Sequence, residues 1–188
     1  MRSLFGKVAL LMGACIFVTL GAQAERATLD VALTYDASQA NIVPGNNFWM
    51  QGGSVQAHAQ FWRGWGVVAD VAGLETGNVH GGGVGLSLVT ATFGPRYTRT
   101  FAHRRYALFG QVLAGEANGF DSVFPAVNGV ESSADGLALK IGGGVNVGLS
   151  RHLAVRAFEA DWLRTQLPNG TTGVQNNLRL GAGLVFKF

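Results

Sequence analysis

Eight stretches of this 188-residue chain alternate apolar and polar side chains with a period of two, and that pattern restricts the fold more than any other feature. Side chains on a β-strand point to opposite faces in turn, so each stretch reads as a strand with one greasy side. The last is the clearest, with Leu180, Ala182, Leu184, Phe186 and Phe188 against Arg179, Gly181, Gly183, Val185 and Lys187. The first sets Leu29, Val31, Leu33 and Tyr35 against Thr28, Asp30, Ala32 and Thr34, and the second sets Val55, Ala57, Ala59 and Phe61 against Gln56, His58 and Gln60. A third runs from Val67 to Ala72. The fourth opposes Val89, Ala91, Phe93 and Tyr97 to Thr90, Thr92, Gly94 and Arg96. The fifth, Tyr106 to Gly115, is apolar on both sides except at Gln111, and the sixth opposes Leu137, Leu139, Ile141, Val145 and Val147 to Lys140, Gly142, Gly144 and Asn146. The seventh, His152 to Arg164, breaks the rule: Arg156 has one parity, Glu159 and Asp161 the other. A bulge near Ala157-Phe158 inserts one residue and brings all three charges to one side.

The joins between these strands alternate in length. Arg63-Gly64, Ala102 to Arg105 and Ser150-Arg151 are tight, whereas Asp36 to Gly52, Gly73 to Gly83, Glu116 to Gly136 and Thr165 to Gln175 read as long loops rich in Gly, Asn, Ser and Pro. An even number of strands, short turns at one end and long loops at the other is the pattern of an outer-membrane barrel, whose strands need only ~9–11 residues to cross. Trp62, Trp65, Phe101, Tyr106, Phe186 and Phe188 gather toward the short turns, and Tyr35, Phe48, Trp49, Phe120 and Trp162 toward the long loops. Aromatics at both ends of an apolar band form interfacial girdles.

The N-terminus explains how such a chain would reach that membrane. Arg2 and Lys7 precede an apolar run from Val8 to Leu20, followed by Ala22-Gln23-Ala24. This is a secretory signal peptide over residues 1–24, cut between Ala24 and Glu25, leaving residues 25–188 as one domain. The lone cysteine, Cys15, lies inside the signal, so the exported part has no disulfide. Two of the 14 basic residues leave with it and none of the 11 acidic ones, so the excess of base is slight and gives no reason to expect nucleic acid as a partner.

Alternation alone does not say which face is outside. A soluble lipocalin-like barrel has the same periodicity with its apolar side inward around a ligand. Charge decides: only 13% of residues are Asp, Glu, Lys or Arg, against roughly 25–35% on a soluble surface. The expectation is an all-β fold, an eight-stranded antiparallel up-and-down transmembrane β-barrel with its greasy faces in lipid.

Several segments then carry a likeness to known proteins. Phe93-Gly94-Pro95-Arg96-Tyr97, Gly142-Gly143-Gly144-Val145-Asn146, His152-Leu153-Ala154-Val155-Arg156 and the ending Leu184 to Phe188 stand in the order found in small outer-membrane β-barrel proteins of the OmpA/OmpX type, which this chain resembles over essentially all of residues 25–188. The resemblance implies a monomer in the outer membrane of a Gram-negative-type bacterium, surrounded by lipid and lipopolysaccharide. It also implies insertion by the outer-membrane assembly machinery, which reads the terminal aromatics Phe186 and Phe188.

With apolar faces outward, His58, Asp70, Arg96, Lys140, Arg156, Glu159, Asp161 and Arg179 face the lumen. Eight strands leave room only for side chains, and buried charges must pair, so these eight are expected to form a structural network that plugs the barrel. A narrow path for ions or small solutes is the alternative. If Arg63-Gly64-Trp65 forms the turn, His58 lies opposite Asp70. A His–Asp pair would become catalytic only with a nucleophile beside it, for which Ser54 and Ser87 qualify by type alone. A lipid-modifying enzyme would want His and Ser together near the interface; the sequence offers Ser150-Arg151-His152, but in a tight turn at the periplasmic end, where an arginine in a loop suffices as explanation. Neither a catalytic site nor a metal or cofactor is expected. Arg63, Arg104, Arg105, Arg151 and Lys187 lie near the short turns, while Glu75, Glu116, Asp121, Glu131 and Asp135 lie in the long loops. These acids make an outward surface that suits divalent cations or an extracellular partner, and the loop residues Phe120, Val123, Phe124, Pro125 and Val127 offer a separate apolar contact. The Asn169-Gly170-Thr171 triplet reads as a loop tip.

Overall fold

The computed structural model describes residues 28–43, 46–77, 79, 85–102, 105–126, 129–169 and 172–188. The expected signal peptide and its cleavage between Ala24 and Glu25 lie outside them, as do Arg104, Val127 and Gly170-Thr171. Alternating sequence becomes eight strands: β1 (Thr28–Val43), β2 (Asn46–Trp62), β3 (Trp65–Thr76), β4 (Leu86–Phe101), β5 (Tyr106–Ala126), β6 (Gly129–Gly148), β7 (Leu153–Thr165) and β8 (Gln175–Lys187). Each pairs antiparallel with its sequence neighbour, and β1 pairs β8 from Asp30↔Lys187 to Gln39↔Leu178, closing the cylinder. Closure leaves no strand edge unpaired in hydrocarbon. Phe188 extends the seam, its backbone N–H donating to Leu29 O at 2.9 Å.

The apolar face is outside. Leu33, Val55, Phe93, Leu108, Ile141 and Leu184 are all exposed on the wall, while Arg96, Arg156, Arg179 and Lys140 are buried within. That inversion of an ordinary globular protein removes the soluble lipocalin-like alternative. Toward the short turns, Trp62, Trp65, Phe101, Tyr106 and Phe186 stand exposed, with Trp65 and Tyr97 rings 5.2 Å apart across a β3–β4 pair. Tyr35, Trp49 and Trp162 stand exposed toward the other end. Phe48 does not join them. It points inward and is buried, because its parity on β2 is that of Met50 and Ser54.

Two expected connections are different in kind. Asp36 to Gly52 and Glu116 to Gly136 are largely strand, paired as far as Val43↔Asn46 and Ala126↔Gly129. The rise in Gly, Asn and Ser there marks the chain leaving the lipid, not leaving the sheet: above the apolar band polar side chains cost nothing and the backbone ladder continues. The β2–β3 turn is also tighter than a three-residue reading. Arg63 (φ 42) and Gly64 (φ 92) form a two-residue turn of the positive-φ type that hairpins favour, with Trp62 opposite Trp65 and a bulge between Gln60 and Trp62. The register moves accordingly, so His58 faces Val68, and Asp70 faces Gln56. The expected His58–Asp70 pairing does not form.

Candidate functional site

The lumen is the site, and the sequence builds it in three layers. Nearest the short turns, Ala32, Ala154 and Val185 are fully buried, and His58 Nδ1 lies 3.0 Å from Asp30 Oδ2. His58 therefore pairs with Asp30, its true neighbour across β1–β2.

The middle layer holds the charges. Arg156 donates to Glu159 Oε2 at 2.6 Å, to Gln56 Oε1 at 2.6 Å and to Asn146 Oδ1 at 3.1 Å. Arg179 reaches both oxygens of Asp70, at 3.4 and 3.3 Å, and Asp161 Oδ2 at 3.1 Å. Lys140 Nζ lies 3.0 Å from Asp70 Oδ2 and 3.6 Å from Asp161 Oδ2. Three of the four cations thus sit against carboxylates. Arg96 instead donates to the amide oxygens of Gln56 and Gln111. Those glutamines pass the interaction on, their amide groups donating to Glu159 Oε1 at 2.8 and 2.9 Å. A carboxylate network relayed through neutral amides results, with four buried cations balanced by Asp36, Asp70, Glu159 and Asp161.

Geometry explains why these residues meet. The β7 bulge falls at Ala157: Val145 pairs with Phe158 and the next β6 residue, Asn146, pairs with Arg156, leaving Ala157 over. Arg156, Glu159 and Asp161 consequently all point inward, while Phe158 points to lipid. Space comes from inward glycines opposite the acids. Gly142 faces Asp161, where a Cβ would stand 2.1 Å from Oδ1, and Gly181 faces Asp36, where it would stand 2.4 Å from Oδ1. Phe109 fills the space opposite Gly144, and the guanidinium carbons of Arg96 and Arg156 lie 4.3 and 4.7 Å from its ring centre. Both guanidiniums are drawn to that ring, and both also donate to Gln56 Oε1.

The third layer, toward the long-hairpin end, is apolar. Phe48, Met50, Leu74, Leu86, Leu88, Phe124, Leu163 and Leu167 pack there, all buried. Two devices bring in residues from above the rim. Asp121 (φ 59) sits at a register break between Phe120 and Phe124 that swings Phe124 inward over Gly119. Gln175 Oε1 accepts from Leu167 N at 3.0 Å while its Nε2 donates to Leu167 O at 2.8 Å, folding the β7–β8 loop over the mouth.

The structure therefore joins seven of the eight expected interior residues in one cluster and sets His58 apart with Asp30. The periodicity reading missed Asp36, Gln56, Phe109, Gln111 and the whole apolar layer. For Asp36 and Gln56 a signal was present, since both continue the inward parity of Thr34 and His58. Leu74, Leu86 and Leu88 gave a contrary one, because Gly73, Glu75 and Ser87 take the outward positions beside them and the alternation inverts above the apolar band. The serines have other employment. Ser150 Oγ accepts from His152 N at 3.3 Å and Leu153 N at 3.1 Å, Ser54 pairs with Thr34, and Ser87 donates to Asp121 on the outer wall.

Comparison with known proteins bears on the fold. No family model and no curated protein matches the chain. Among solved structures it is similar to Ail, the attachment invasion locus protein of Yersinia pestis, crystallised in complex with the heparin analogue sucrose octasulfate. That match is 17% identical, covers 86% of this chain and 99% of Ail, and has a TM-score of 0.59. It is also similar to Neisserial surface protein A, at 10% identity, 89% and 100% coverage and a TM-score of 0.61. At such identities the likeness is one of fold. The chain has the fold of the small outer-membrane β-barrels, and its lipid-facing apolar wall around a charged interior is that of a protein of this membrane.

Proposed function

We propose that this protein is a closed, non-catalytic barrel that acts as a monomeric structural or surface-interaction element of the outer membrane, rather than as a pore or a lipid-modifying enzyme. The observation that carries this reading is the two-fold closure of the lumen, by paired charges in the middle and by an apolar plug above. An ion crossing the lumen would have to pass the paired charges and shed its water into a layer of Leu, Met and Phe. Insertion by the assembly machinery would use the exposed terminal aromatics Phe186 and Phe188.

Function then belongs to the outward rim. Glu75, Glu116, Asp121, Glu131 and Asp135 are exposed there, beside the exposed Val123 and Val130 of the β5–β6 hairpin. Ail binds a polyanion in its crystal structure; this rim, by its charge, suits a basic partner instead.

Reconstitution of the refolded barrel in planar bilayers tests the reading. No conductance steps are expected at any applied voltage. Reproducible unit steps from the purified protein would replace the closed barrel with the narrow-pore alternative.

A further inference from the structure

The outer wall of β2–β5 carries two adjoining clefts, about 440 and 340 Å³ in volume, which share Gln51, Glu75, Ser87 and Asp121. Their size falls in the ~300–1,000 Å³ range of small-ligand sites. The shared residues follow from the register: Gln51 pairs with Glu75, Glu75 with Ser87, and Ser87 with Phe120, next to Asp121. The depression exists because Gly73 faces outward with nothing within 4 Å of where a Cβ would stand. Its lower border is Val89, part of the exposed apolar wall with Val71, and its upper border is Trp49, 52% exposed.

Height and continuity select the occupant. An exposed Trp marks the level where lipid headgroups meet acyl chains. Below it, the groove opens without interruption onto the wall that faces hydrocarbon. Its upper half holds two carboxylates, a hydroxyl and an amide, and among the described residues no Lys or Arg lines either cleft.

We propose that this groove binds a lipid whose headgroup carries a free ammonium, seating an acyl chain over Gly73 and Val89 and holding the ammonium on Glu75 and Asp121. Ser87 and Gln51 then offer hydrogen bonds to the neighbouring headgroup oxygens. The site lies outside the cylinder, so it stands whether or not the lumen conducts.

Native mass spectrometry of the full barrel, released from micelles holding equal phosphatidylethanolamine and phosphatidylglycerol, tests this. Wild type is expected to retain phosphatidylethanolamine over phosphatidylglycerol by roughly threefold, the scale of an exposed ion pair. Gly73→Leu, whose Cβ meets nothing within 4 Å, fills the groove and abolishes retention of both lipids. Glu75→Gln combined with Asp121→Asn removes the preference while retention persists. Gly110→Leu, on the outer wall of β5 where a Cβ lies 3.9 Å from Gly142 O, changes nothing. Heat-modifiable migration confirms that each variant is folded. Equal retention of the two lipids, a preference that survives Gly73→Leu, or a preference lost on chelating divalent ions overturns the proposal. The last outcome assigns the carboxylates to metal-bridged phosphate instead.

Discussion

Arg179 and Arg96 are both buried in the lumen, yet they meet different company, and their removal should not cost the same. Arg179 lies against Asp70 and Asp161, so Arg179→Met leaves carboxylates with only Lys140 to share. Breaking a buried pair from one side costs about 3–5 kcal/mol. Arg96 meets two neutral amides and the Phe109 ring, so Arg96→Met strands no charge and is expected to cost about 1–2 kcal/mol, the scale of a hydrogen bond left unmade. Urea unfolding of the refolded barrel measures both, and equal losses would mean that the glutamine relay carries charge as well as a direct contact does. A second prediction rests on the same layer. Gly142→Val puts branched carbon into the position of the Asp161 carboxylate, and should destabilise by at least as much as Arg179→Met, because it displaces Asp161 from Lys140 and Arg179 together. Seven charged residues of this layer were legible from parity together with the cost of charge in lipid, which demanded the β7 bulge, and Asp36 was missed because the segment after Tyr35 read as a loop. The partners of these residues were not legible. Pairing depends on register: a turn one residue shorter than its sequence suggested, together with the bulge between Gln60 and Trp62, puts Val68 and not Asp70 opposite His58, which pairs instead with Asp30 on β1.

At the level of the strand, β7 shows how a single residue sets the orientation of a whole element. Ala157 is the unpaired residue of the bulge, with Arg156 before it and Glu159 two beyond. Deleting Ala157 leaves Arg156 and Glu159 two positions apart, the same parity, so a regular strand still points both inward. Deleting Ala160 makes Glu159 and Asp161 adjacent, which forces one carboxylate into lipid and leaves its cation unpaired inside, a loss of several kcal/mol. The expected outcome is that the Ala157 deletion refolds to a heat-modifiable band and the Ala160 deletion does not. Failure of both would mean that the bulge is needed for the curvature of the barrel and not only for parity. The bulge itself was legible because two acids in lipid are too costly for a strand to accept. The length of β5 and β6 was not: once clear of the membrane, the polar residues from Glu116 to Gly136 carry no lipid-imposed alternation, and nothing local distinguishes paired ribbon from loop.

Across the whole cylinder, closure is divided between two unlike layers, and this division makes the conduction experiment more informative than a single null result. The charged layer fills space through Phe109 and the two guanidiniums on its ring; the apolar layer fills it through Phe124, Phe48 and their leucines. Because the layers are stacked along one axis, an opening in either one ends blindly on the other. Phe124→Ala should therefore cost stability, roughly 3–5 kcal/mol for a buried ring, without admitting ions. Phe109→Ala should behave likewise, since the apolar plug above it remains intact. Only the double variant clears both levels, and in planar bilayers it alone should show conductance steps. Unit steps from Phe124→Ala by itself would show that the ion network is permeable and that the apolar plug is the sole seal. The barrel would then be a gated channel whose gate is the inward bend at Asp121 that carries Phe124 into the mouth.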